Sequence, residues 1–419
     1  MKNPKYIAVL ISALAILIVT PSSIKAQGFS SFEPEQYDPE VNYGSYNYVQ
    51  LNYFKGDHAG YANGLPSAFA NGYNAAELKL GWQSTGRQEW QRLHNYPVYG
   101  LGVFVSTLGD SDIDSVVGAP SALYFFYGEP IARFGDFTFL FDLGIGLSYD
   151  FNPYDAAENA LNKFIGSKVN LYFNGNMMLY YKVDENIDLS AGINFIHFSN
   201  GRSSTPQRGI NLMGFNVGAK YNFNPMKSYT QYARPDYRPP IRPEYVVAPK
   251  SPLQRYGELQ FLASVGTVET EPGETKAEDG SYDSISQQRY TTSTFSLEYA
   301  YLVTRTLKLH TGFDFMFDGS MENYHDNVPP GDVDFAGKFM AGYHVGFQYL
   351  IERFAFYYAL GWYVYKESPT RGTWYMRAGG RIGLTPRLDA HVALKTRNGG
   401  IADWIEWGIA YKLRVHGGK

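Results

Sequence analysis

The stretch "NIDLSAGINFIHFS", Asn186 to Ser199, alternates residue by residue. Ile187, Leu189, Ala191, Ile193 and Phe195 fall on one parity, and Asn186, Asp188, Ser190, Gly192 and Asn194 on the other. An extended chain sends successive side chains to opposite faces, so this is a strand with one oily and one polar face. The stretch before it repeats the pattern. Val169, Leu171, Phe173, Met177, Leu179, Tyr181 and Val183 share one face, and Lys168, Asn170, Asn174, Asn176 and Lys182 the other. Both runs exceed the roughly five or six residues of an ordinary globular strand. About ten tilted residues suffice to cross a bilayer.

Composition separates the two all-β readings, a secreted sandwich and a membrane barrel. The chain of 419 residues carries 36 Tyr, 28 Phe and 43 Gly with only 18% charged residues. Aromatic girdles and glycines beside a tight interior suit a transmembrane barrel. Lys2 and Lys5 precede an apolar run, Ile7 to Thr20, and small residues follow to Ala26. That is the pattern of a secretory signal, with cleavage expected after Ala26 and residues 1–26 removed. The run is too short for a spanning helix. The absence of Cys excludes disulfides, thiolate sites and lipid attachment. A formal charge of −4 gives no reason to expect a nucleic-acid partner. The expectation is an exported, multi-pass antiparallel β-barrel of the cell outer membrane.

Strands are expected near 46–54, 74–84, 96–107, 118–128, 136–149, 168–183, 186–199 and 211–223. A second set is expected near 255–267, 288–303, 306–318, 335–350, 352–366, 373–384, 387–397 and 403–415. With the N-terminus in the periplasm, "DEN" (Asp184 to Asn186), "IER" (Ile351 to Arg353) and "TPR" (Thr385 to Arg387) fall at inner turns. The long stretches 149–167, 268–287 and 319–334 then fall outside. Short inner turns and long outer loops are the asymmetry of such barrels.

The two sets resemble each other. "FTFLFDLG" (Phe137 to Gly144) matches "FAFYYALG" (Phe354 to Gly361), and "LSAGINFIHFSNG" (Leu189 to Gly201) loosely matches "LDAHVALKTRNGG" (Leu388 to Gly400). Both matches keep the face parity and fall on the fifth and seventh strand of each set, which points to duplication. Between the sets lies "RPDYRPPIRPEY", too rich in Pro for a ladder. The expected organisation is an N-terminal periplasmic segment at 27–45, a barrel at 46–223, an extended periplasmic linker at 224–252 and a second barrel at 253–419. Two tandem eight-stranded barrels are the reading preferred here, with one barrel of about sixteen strands as the rival.

His197 and Ser199 continue the oily parity of their strand, and Asn211 opens the next strand on the same face as Met213, Phe215 and Val217. The three should gather on the lipid side near the outer rim, where polar groups cost little. A Ser, a His to take its proton and a third group to orient the imidazole form a nucleophile with its base. Facing acyl chains and ester carbonyls, such a line suits hydrolysis of a lipid ester. The plain alternative is a set of rim contacts to headgroups.

This stretch resembles the PagL family of outer-membrane lipid A 3-O-deacylases, acyloxyacyl hydrolases. The family pattern stands here as His197-Phe198-Ser199-Asn200, then Pro206, then Gly209-Ile210-Asn211. The resemblance covers roughly residues 46–223. It implies an eight-stranded barrel and hydrolysis of the acyl chain ester-linked at position 3 of lipid A, with no metal or other cofactor. It implies Ser199 as nucleophile, His197 as general base, and Asn200 in the region of the oxyanion donors. Lipopolysaccharide is then the substrate and outer-membrane lipid the surroundings. Asn211 departs from the pattern, which has Glu there. An amide can hold the imidazole N–H but cannot balance an imidazolium, and in serine proteases the equivalent loss costs about 10⁴ in rate.

The second copy lacks the dyad: Thr396 and Asn398 occupy the positions of His197 and Ser199. His391, Lys395 and Arg397 fall on its lumen face, and "ADWIEWGIAY" (Ala402 to Tyr411) sends Glu406 inward. No chemistry is assigned to it; docking the first barrel, binding lipopolysaccharide and forming a pore are its candidate roles. The other histidines, His58, His94, His310, His325, His344, His391 and His416, show no metal-ligand spacing along the chain. The acidic loop Glu269 to Gly280 is read as solvated rather than cation-binding. A serine esterase acting on lipid A therefore stands against two rivals, a structural or porin-like barrel and an acyltransferase.

Overall fold

The computed structural model describes residues 46–59, 72–109, 111–206, 208–224, 241–245, 253–270, 273–276, 282–285, 288–323, 332–368 and 371–417. The expected signal at 1–26, the segment at 27–45 and most of the linker at 224–252 lie outside them.

Eight strands close the first unit: β1 (Tyr46–His58), β2 (Tyr73–Gln83), β3 (Val98–Thr107), β4 (Gly118–Phe134), β5 (Phe137–Phe151), β6 (Asn170–Lys182), β7 (Ile187–Ser199) and β8 (Ile210–Asn222). Each pairs antiparallel with its chain neighbour, and β1 closes on β8 from Tyr48↔Asn222 to His58↔Leu212. That closure rules out a single sixteen-stranded barrel.

The second unit begins with β9 (Tyr256–Glu269). A short hairpin follows, β10 (Gly273–Lys276) with β11 (Tyr282–Ile285), inside the expected outer loop. The barrel continues through β12 (Arg289–Thr304), β13 (Leu307–Asp318), β14 (Phe339–Ile351), β15 (Phe354–Tyr365), β16 (Trp374–Thr385), β17 (Leu388–Arg397) and β18 (Ile401–Gly417). β18 closes on β9. All sixteen expected strands are present.

The differences are at the ends. Residues 335–338, expected to open β14, form a helical turn instead. Asp334 caps it by accepting a hydrogen bond from the Gly337 amide, which a strand start would not offer. Val169 was expected in β6, which begins one residue later.

Parity sorts the faces as read. In β7, Asp188, Ser190, Asn194, Ile196 and Phe198 are buried inside, whereas Ile187, Leu189 and Ile193 are exposed outside. Phe125, Ile145, Leu147, Phe215 and Val217 extend the outer apolar band, as a lipid-facing surface requires. An eight-stranded barrel is just wide enough for its side chains to fill. In the first lumen, Asn52 donates to Glu77 (2.6 Å), Lys79 pairs with Asp142 (2.8 Å), and Asn174 and Asn176 donate to the same two carboxylates. The second lumen is also packed, with Arg377 bridging Asp314 (2.8 Å) and Glu406 (2.9 Å). Packed charged interiors argue against the porin reading of either barrel.

Candidate active site

The site begins with Phe198. Its ring is fully buried among Phe104, Phe151 and Tyr172, with ring centroids 6.3, 5.5 and 5.5 Å away. Because strand neighbours alternate, anchoring Phe198 inward holds His197 and Ser199 outward on either side of it.

β7 and β8 then meet in register, with His197 opposite Asn211 and Phe198 opposite Ile210. His197 Nδ1 lies 2.6 Å from Asn211 Oδ1. An amide oxygen only accepts, so Nδ1 carries the proton and Nε2 keeps its lone pair. That is the tautomer a general base needs.

Ser199 ends β7 opposite Leu171, and it is 6% exposed although it lies on the outward parity. Asn211 is 9% exposed on the same side. Both are more covered than the girdle residues of the same strands, so the site is sheltered at the rim.

Gly209 shows how closely His197 and Ser199 converge. A Cβ on it would sit 2.8 Å from Phe198 O, 3.2 Å from His197 Cε1 and 3.6 Å from Ser199 Cβ. The imidazole edge and the serine thus border one small volume. Gly209 also has φ +66°, a backbone few side chains tolerate. Its amide donates to Phe164 O (3.3 Å), tying the end of the β7–β8 loop to the β5–β6 loop.

The Asn200 side chain is held by the β5–β6 loop and the start of β6. Its Nδ2 donates to Ser167 Oγ (3.1 Å), and Ser167 Oγ donates to Asn170 Oδ1 (2.8 Å). Asn170 Nδ2 returns to Ser167 O (2.9 Å), so Asn200 is moored to the start of β6. Sequence reasoning missed Ser167, Asn170 and Gly209 as supports. Only the Gly209-Ile210 spacing signalled one of them.

In the second barrel, Thr396 is buried on β17 and Asn398 lies past its end with φ +49°. His391 and Lys395 are buried inside, as their parity predicted.

The family model described as lipid A 3-O-deacylase (PagL) matches residues 76–220, and that of the acyloxyacyl hydrolase C-terminal domain matches residues 257–415. No curated protein matches the chain. The solved structures it resembles include the outer membrane enzyme PagL, at 14% identity and TM-score 0.29, covering 40% of this chain and 97% of that one. They also include CdiB from Acinetobacter baumannii, at 12% identity and TM-score 0.17, covering 88% of this chain and 60% of that one. The NanC porin follows at 8% identity and TM-score 0.14, covering 88% of this chain and all (100%) of that one. The two family models divide the chain as its two barrels do, and the chain belongs to the PagL family of lipid A 3-O-deacylases, with the deacylase domain in its first barrel and the acyloxyacyl hydrolase C-terminal domain in its second.

Proposed function

We propose that the first barrel is a serine esterase that removes the 3-O-linked acyl chain of lipid A in the outer membrane. Ser199 Oγ attacks the ester carbonyl while His197 Nε2 takes its proton. The tetrahedral oxyanion collapses, expelling the sugar 3-oxygen, which receives that proton from His197. Water, deprotonated by the same imidazole, then attacks the acyl-serine; the second oxyanion collapses, expelling Ser199 Oγ, which takes that proton back from His197, and the fatty acid leaves. Asn211 holds the imidazole in the required tautomer throughout. No metal enters these steps.

The observation that carries this reading is the 2.6 Å bond from His197 Nδ1 to Asn211 Oδ1, on the outward face and beside Ser199. The rim position supplies the substrate's ester carbonyls, since an acyl chain lying along the apolar band of β7 and β8 brings its ester to the site. Mass spectrometry of lipid A from cells with and without the protein tests it. Loss of one 3-hydroxyacyl chain is expected. Unchanged lipid A would leave a structural barrel, and the chain reappearing on another lipid would make the protein a transferase.

A further inference from the structure

The lumen of the second barrel brings together groups that lie far apart in the chain. Glu298 points inward from β12, His310 from β13 and His344 from β14, and all three are buried. One ligand atom from each lies within 4.8 Å of the others. His344 Nε2 is 3.6 Å from Glu298 Oε1.

The backbone makes room for this cluster. Gly312 stands opposite both Glu298 and His344 in the ladders, and Gly346 stands opposite His310. A Cβ at Gly312 would reach within 3.1 Å of His344 Cε1, and one at Gly346 within 2.7 Å of His310 Nε2. Each imidazole thus lies in a space that any other residue would fill.

Each imidazole is also held by one nitrogen only. His344 Nδ1 bonds Asp314 Oδ2 (2.8 Å), and His310 Nε2 bonds Tyr358 O (3.2 Å). Among the described residues, His344 Nε2 and His310 Nδ1 have no hydrogen-bond partner. An imidazole fixed at one nitrogen by a carboxylate or a carbonyl, with its other nitrogen left for an ion, is the arrangement that orients metal ligands. A buried polar nitrogen without a partner is otherwise costly.

Charge points the same way. Glu298, Asp314 and Glu406 bring three carboxylates to this layer, against the guanidiniums of Arg377 and Arg381. Arg381 takes Glu298 Oε2 (2.9 Å), while Oε1 accepts from Tyr357 (2.7 Å) and faces the histidines. His391 accepts from Arg381 Nε at Nδ1 (3.2 Å), so it is neutral and adds no compensating charge. Among these five groups the carboxylates exceed the guanidiniums by one.

We propose that Glu298, His310 and His344 form a binding site for a divalent first-row transition-metal ion of the zinc type. Two imidazoles and a carboxylate are ligands for such borderline ions rather than for calcium or magnesium. Zinc–nitrogen bonds of about 2.0–2.1 Å place tetrahedral ligand atoms roughly 3.3 Å apart, so small side-chain rotations close the site. The ion ties β12, β13 and β14 together and offsets the extra carboxylate charge. A cavity lies at the end of the barrel that carries its short turns. It is lined by Lys308, Gln348, Arg381 and Asp389, and Arg381 separates it from Glu298. The proposal is independent of the chemistry assigned to the first barrel.

The test uses the full chain without a polyhistidine tag, folded in detergent, stripped with a chelator and titrated with Co²⁺ and Zn²⁺. One ion per chain is expected, with intense visible Co²⁺ bands of a low-coordinate site and two paramagnetically shifted, exchangeable imidazole protons. These are Nδ1–H of His344 and Nε2–H of His310, and the wild-type readout decides the matter even where a variant fails to fold. His310→Ala and His344→Ala should each weaken binding by about 100-fold or more, exceeding the ~10–100-fold typical of losing an outer-sphere partner. Binding below one ion per chain, a Co²⁺ spectrum without the shifted imidazole protons, or undiminished affinity in a folded histidine variant would overturn the site. In the first case His344 is an imidazolium paired with Asp314.

Discussion

His197 and Asn211 face each other across the β7–β8 ladder, and their side chains join in a 2.6 Å hydrogen bond from Nδ1–H to Oδ1. The bond leaves Nε2 as the basic nitrogen. If that nitrogen takes the Ser199 proton, the site needs both residues. Ser199→Ala and His197→Ala should each lower deacylation by on the order of 10⁴-fold or more. Both side chains point out of the lumen, so the variants should keep the heat-modifiable mobility of a folded barrel. Activity retained in either folded variant would remove the dyad.

Asn211→Glu should keep or raise activity near neutral pH. A carboxylate accepts the same imidazole bond and also stabilises the imidazolium, and charge-assisted bonds are about twice as strong as neutral ones. Desolvation opposes this but is small at the interfacial rim. Asn211→Ala should lower kcat without unfolding the barrel. Equal activity in Asn211 and Ala enzymes would reduce the residue to a rim contact.

Gly209→Ala should cost activity more than stability. The new Cβ would press on Phe198 O at 2.8 Å and on His197 Cε1 at 3.2 Å, and φ +66° adds about 1–2 kcal/mol of backbone strain. The reading to take is kcat against melting temperature in one detergent. A parallel fall in both would mark Gly209 as a loop residue only.

Phe198→Ala removes the anchor between His197 and Ser199. Truncating a buried Phe costs about 3–5 kcal/mol, and the loss should appear as a lower unfolding midpoint in urea. Activity should fall even where the barrel remains folded, because the inward anchor between His197 and Ser199 is gone and only the ladders hold them. Full activity in a destabilised but folded variant would show that the ladder alone positions them.

A chain ending near Pro225 should fold and cleave lipid A. The first barrel closes through β1–β8 pairing, and its candidate dyad and the orienting amide lie on β7 and β8. Failure to give a heat-modifiable product would show that the second domain is needed for folding; folding without activity would show that it serves the chemistry.

Strand positions and the inward or outward sense of nearly every residue were legible in the chain, whereas the choice between one barrel and two was made by the closure of β1 on β8. Alternation is a property of the extended backbone, so parity alone sent Asp188 and Phe198 inward and His197 outward. Motif spacing put His197, Ser199 and Asn211 on neighbouring strand ends, because a turn at the rim fixes which residues can face each other. The helical turn at Phe335–Lys338 was not legible: one capping carboxylate, Asp334, decides it.

Period and local spacing therefore suffice for duplicated sets of lipid-facing strands and a polar trio at one rim. Closure into two separate barrels, and whatever else depends on register between distant strands, comes from the folded chain. It bonded the Asn200 side chain to Ser167, and it set Gly209 against the His197 ring. It also gathered Glu298, His310 and His344, which share no spacing along the chain. Barrel closure brings inward residues of three strands to one level of the lumen, and the stagger that chooses the level is a property of paired strands, not of any strand alone.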